Sequence, residues 1–146
     1  MPRESSGESP RFPDDPRKFF RVATQRFAEA EFLLEGERYL ASIYIAGYAI
    51  ECGLKALILT TEPRNRRAEL AASFRGSEWH NLNWLVEGYK KRGGPPPPRE
   101  IRTDLTYVHD EWSVDLRYIA GEKPFREAKR FVAATVRILE WVKERL

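Results

Sequence analysis

Cysteine, methionine and histidine are nearly missing from this chain: one, one and two in 146 residues. Cys52 has no partner for an intrachain disulfide, so the fold must stand on a packed core. Two histidines far apart and one cysteine do not make a zinc set, and no other metal or cofactor group is implied. No glycine-rich phosphate loop of the Walker or dinucleotide type is present; Gly93 and Gly94 run into prolines, which suits a turn. No alternating polar and apolar strand pattern occurs, nor any internal repeat. No basic, apolar, small-residue signal sequence opens the chain, so a reducing cytoplasm is the expected compartment. A net charge of +3 is too small to imply an anionic partner by itself. Its make-up says more, since 18 of the 25 basic residues are arginine, the side chain suited to bidentate phosphate contacts.

At this length one domain buries roughly 68 to 70% of its unfolded surface and needs no staples. Its centre is the almost wholly apolar run 39–58, interrupted only by Glu51 and Lys55. On a helix Tyr44, Gly47, Glu51, Lys55 and Ile58 form one stripe, so the charge pair must find partners on other helices or on a ligand. Ala46, Gly47, Ala49 and Gly53 remove bulk where neighbouring backbones approach, although each glycine costs about 1 kcal/mol of helix propensity. A membrane span would place both charges near the bilayer centre at roughly 2.5 to 3.5 kcal/mol each. The expectation is therefore the central helix of a bundle, with no membrane and with Cys52 as a small core residue.

Residues 1–14, rich in Ser, Gly, Glu, Arg and Pro, read as a disordered tail, and residues 15–146 as one helical domain. Asp15 and Pro16 supply an N-cap and N1 for a helix carrying Phe20, Ala23, Phe27, Ala30 and Leu34 to about residue 35, where Gly36 breaks the pattern. The central helix then spans about 37–60 and closes before Pro63. A short helix is expected at 68–74, and Ser77 as cap of a helix with Trp79, Leu82, Leu85, Val86 and Tyr89. After the stiff spacer 95–98 comes a helix over about 99–109, a turn or short helical segment over 112–118, and a last amphipathic helix from Pro124. The fold class is all-α: an up-and-down bundle of four main helices plus short extra helical segments.

An ordered set of residues in this chain resembles the HEPN domain family (higher eukaryotes and prokaryotes nucleotide-binding). It comprises an alanine-rich first helix, the run Ala46-Gly47-Tyr48-Ala49-Ile50-Glu51-Cys52-Gly53-Leu54-Lys55-Ala56-Leu57, then His80-Asn81-Leu82 with Leu85, and Trp112 with Asp115-Leu116-Arg117-Tyr118 before a closing helix. The resemblance spans residues 17–146. It implies a cytoplasmic helical bundle, often a homodimer, that binds nucleotide or RNA, acts as toxin partner of a minimal nucleotidyltransferase, or cleaves RNA without metal.

The ribonuclease branch of that family uses Arg-x4-6-His, the histidine as general acid or base and the arginine on the pentacoordinate phosphate. Two such spacings occur, Arg75 to His80 and Arg102 to His109, whereas Arg117, the arginine most like a late-helix one, has no histidine after it. His80 suits either a ligand or a helix-start histidine bonded to backbone or Glu51, and His109 reads as a surface histidine. Arg117 would contact phosphate or pair with Glu51 or Asp115, with the same ambiguity for Lys55. Tyr118 and Trp112 suit core packing or base stacking. The basic clusters Arg64-Arg66-Arg67 and Lys90-Lys91-Arg92 flank the third helix as solvated loop charge or as two ends of one basic surface. The expected polar constellation is Glu51, Lys55, His80, Arg117 and Tyr118, binding a nucleotide or RNA phosphate. An Arg/His endoribonuclease and a dimeric interaction module stand as alternatives.

Overall fold

A computed structural model describes residues 13–146; most of the stretch read as a tail lies outside the described residues. Among the described residues there are six α-helices, α1 (Pro16–Glu35), α2 (Tyr39–Thr60), α3 (Arg67–Ala72), α4 (Leu82–Lys91), α5 (Arg99–Glu111) and α6 (Phe125–Lys143), and no strand. Three 3₁₀ turns join them, Arg64–Arg66, Ser77–His80 and Val114–Tyr118. The all-α expectation holds, with α1, α2, α5 and α6 as the long elements.

The first helix begins as its sequence dictates. Asp15 accepts a hydrogen bond from the Arg17 amide at 2.8 Å, and Pro16 fills a position whose missing N–H costs nothing. It ends at Gly36, but the left-handed residue there is Glu37, at φ 61°, which moves the start of α2 to Tyr39. A second boundary differs from expectation. Asn81, not Ser77, caps α4, accepting from the Trp84 amide at 2.9 Å, because Gly76 at φ 100° turns the chain into the separate Ser77–His80 segment.

α2 packs against α1, α4 and α6, and α5 closes over α6. Ile50, Leu54 and Leu57 of α2 meet Leu82 and Leu85, Val108, and Phe131, Ile138 and Val142 in one core. By length and composition α2 could cross a membrane, yet 72% of its most apolar window is buried inside the bundle. The small residues act as their size predicts. A Cβ on Gly47 would overlap the Trp112 indole, and one on Gly53 would lie 2.9 Å from Leu139 Cδ2.

No local side chain caps the N-terminus of α2. The Leu40 amide donates instead to the carboxylate of Glu122, 82 residues later, which ties the loop before α6 onto the start of α2.

Candidate functional site

Glu51 sits on the inner stripe of α2 with 4% of its surface exposed. Its Oε2 accepts from Lys55 Nζ at 3.0 Å, one helical turn on, and its Oε1 meets His80 Nδ1 at 2.8 Å from the Ser77–His80 turn. A carboxylate only accepts, so this contact fixes the proton on Nδ1 and leaves Nε2 unengaged by Glu51. The imidazole is 44% exposed. Lys55 is buried as well, its Nζ 5.9 Å from the Phe74 ring centroid. Of the residues expected at the site, these three come together, and Lys55 is spent on Glu51.

Arg117 does not join them. It belongs to the exposed end of the Val114–Tyr118 turn, with its guanidinium carbon 4.8 Å from the centroid of the Tyr118 ring, itself 74% exposed. Among the described residues no carboxylate pairs with it, so the expected bonds to Glu51 or Asp115 are replaced by contact with tyrosine. Tyr118 chiefly, with Tyr44 and Tyr48 adding to it, raises the Arg117 pKa above its ordinary value.

Aromatic side chains bridge the two groups, and sequence reasoning missed how. Tyr44 and Tyr48 hydroxyls lie 3.2 Å apart, the Tyr48 ring meets Trp112 edge-on at 5.3 Å, and Trp112 Nε1 donates to the Tyr44 carbonyl at 3.0 Å. Burial, then the bond to Tyr44, pushes the Tyr48 phenol well above its usual range. The signal was present in Gly47, the gap that admits Trp112. A second missed pair is Asp104 with Arg137, bidentate at 2.7 and 2.9 Å between α5 and α6. Asp104 interrupts the apolar stripe of Ile101, Leu105 and Val108, the same pattern that marked Glu51.

Both histidines line one cavity of about 380 Å³, together with Trp112, Leu116, Asp110 and Glu111. His109 is half-buried there rather than on the open surface. Neither arginine of the two Arg-x-His spacings lines this cavity. Arg75 is exposed and cut off from the histidine turn by the bend at Gly76. Arg102 stands two turns from His109, roughly 10 Å along α5 at 1.5 Å per residue, and lines a smaller cavity with Leu82, Val86 and Lys90. The larger cavity carries two carboxylates and no lysine or arginine on its wall, so only its imidazoles and neutral donors could meet a phosphate there. Among the described residues no cluster of His, Cys, Asp and Glu could hold a metal ion.

The sequence model of the HEPN domain matches residues 16–145. The chain belongs to the HEPN domain family. Two solved structures share its fold. TT1696 from Thermus thermophilus is 20% identical at a TM-score of 0.67, covering 92% of this chain and 100% of its own. ST0689, described as an archaeal HEPN homologue, is 19% identical at 0.61, covering 90% of this chain and 97% of its own. A comparison with curated proteins finds no match.

Two members of the basic clusters serve the architecture of this HEPN domain. The two basic clusters meet at the end of α2, where Arg67 Nε donates to the Leu59 and Glu62 carbonyls at 3.1 Å each and Arg92 pairs with the Glu62 carboxylate at 3.5 Å. Cys52 is half-buried, and burial raises its thiol to about 11, so it stays protonated and unreactive near neutral pH.

Proposed function

We propose that this HEPN domain binds a nucleotide or the phosphate backbone of RNA, with Arg117 and Tyr118 as the contact. One observation carries the reading: an exposed arginine, unpaired with any carboxylate among the described residues, lies over an exposed tyrosine ring. A guanidinium held on a ring keeps its N–H groups in plane for phosphate oxygens, while the ring's outer face is open to a base. The buried Glu51–Lys55 pair is satisfied within the bundle, independently of Arg117, and so is not assigned to the ligand. A minimal nucleotidyltransferase is the protein partner that the family resemblance implies.

Arg117→Ala is expected to weaken nucleotide or RNA binding about tenfold or more, the size of one charge-assisted contact of roughly 1.5 kcal/mol, with affinity falling as salt rises. Fluorescence anisotropy with labelled RNA measures this, and equal affinity of variant and parent would overturn the assignment.

Endoribonuclease activity is the second reading, supported by a carboxylate-oriented His80 and by His109 on the wall of the same cavity. It requires RNA cleavage in the presence of chelator that His80→Ala or His109→Ala abolishes while binding persists. Intact RNA under those conditions leaves the binding reading in place.

The same reading takes the protein as a two-fold homodimer, supported by Phe32, exposed on α1. Light scattering should give twice the chain mass of 17.0 kDa at tens of micromolar. A concentration-independent value of one chain mass would refute it.

A further inference from the structure

Two more cations rest on aromatic rings in α6. Lys129 Nζ lies 5.9 Å from the centroid of Phe125, and the Arg130 guanidinium carbon 4.0 Å from that of Tyr107 on α5. Phe125 is 50% exposed and braced by Tyr39 at 5.5 Å. Arg126, Lys129 and Arg130 are all exposed, and among the described residues none is paired with a carboxylate. Between Lys123 and Arg130 the one acid is Glu127. Glu122, just before, is occupied with the Leu40 and Lys123 amides. Asp110 and Glu111 belong to the cavity at the end of α5; Glu111 and Glu127 also act on the Tyr107 phenol beside Arg130, so the α6 face carries more cations than acids without being free of them.

Resting on the phosphate-binding reading above, we propose that the start of α6 is a second, contiguous subsite for single-stranded RNA. The strand leaves Arg117 and Tyr118, passes the loop fixed by Glu122, and lays its phosphates along Arg126, Lys129 and Arg130, with Phe125 open to a base. Alternating cations and exposed rings suit a flexible strand, because rings accept any base face and cations follow the backbone. The subsite also explains how a strand avoids the carboxylates of the cavity.

Labelled oligouridylates of two and eight nucleotides, titrated against the full chain, test the subsite. The octamer should bind at least tenfold tighter than the dimer. Arg126→Ala with Arg130→Ala should erase that advantage, leave the dimer's affinity unchanged, and lower the slope of log affinity against log salt by about 1.4 for two lost phosphate contacts. Arg126→Glu, at a site with no folded-state partner, should do the same if loss of the Arg130 contact to Tyr107 perturbs the fold. Equal binding of both lengths, or an octamer advantage that survives these variants, overturns the subsite, while dimer binding lost in Arg117→Ala leaves the parent reading standing. No binding at either length removes both. Phosphatidylserine vesicles that bind as tightly as the octamer would assign the face to a membrane instead.

Discussion

Glu51→Ala is expected to cost the fold about 3 to 5 kcal/mol in urea unfolding, because it strands the buried Lys55 ammonium against the Phe74 ring with no anion. An exposed i,i+4 pair would lose only about 0.3 to 0.5 kcal/mol. The two figures differ tenfold, so the measurement decides between them. The paired change Glu51→Leu with Lys55→Met removes both charges at similar volume and should recover most of the loss, since a buried ion pair contributes little beyond what apolar packing would. His80, left without its acceptor, is exposed enough for water to replace it. A single-variant loss below 1 kcal/mol would mean that Lys55 reaches solvent and that α2 is not buried along this stripe.

Gly47→Ala sets two effects against each other. Helix propensity favours the alanine by about 1 kcal/mol. Packing opposes it, because the new methyl occupies the space of the Trp112 indole, an overlap typically costing about 1 to 3 kcal/mol, and displacing the ring forfeits its bond to the Tyr44 carbonyl, worth about 1 kcal/mol. Net destabilisation of about 1 to 3 kcal/mol follows, with loss of near-ultraviolet circular dichroism from the packed indole. A variant more stable than the parent would show that Trp112 moves without penalty and that the aromatic bridge to Arg117 is loose.

Much of this was legible in the sequence, for identifiable reasons. The 3.6-residue period placed the long helices, and the break at Gly36 and the cap at Asp15 fall where local chemistry puts them, whereas the start of α4 lies at Leu82 rather than Ser77. Glu51, Lys55 and His80 were found together because an acid on an apolar stripe creates a demand that only a few residues can meet. The same logic applied to Asp104 would have found Arg137, but short helices with mixed polarity conceal which face is inner. For Arg117 the sequence offers a phosphate or a pairing with Glu51 or Asp115, and the structure replaces only the pairing, since a tyrosine next in sequence offers a ring without requiring a tertiary contact. The cavity shared by His80 and His109 was invisible, because sequence spacing carries no information on which turns face each other across a bundle.

The bond from Leu40 to Glu122 couples events that are far apart along the chain. Helix ends fray first in hydrogen exchange, and an end whose cap is borrowed from another segment frays only when that segment lifts away. Opening the first turn of α2 and releasing the loop that follows Arg117 and Tyr118 are therefore one local unfolding step. Its exchange rate reports on both, so a ligand held by that loop would slow amide exchange at Leu40, a position it never touches.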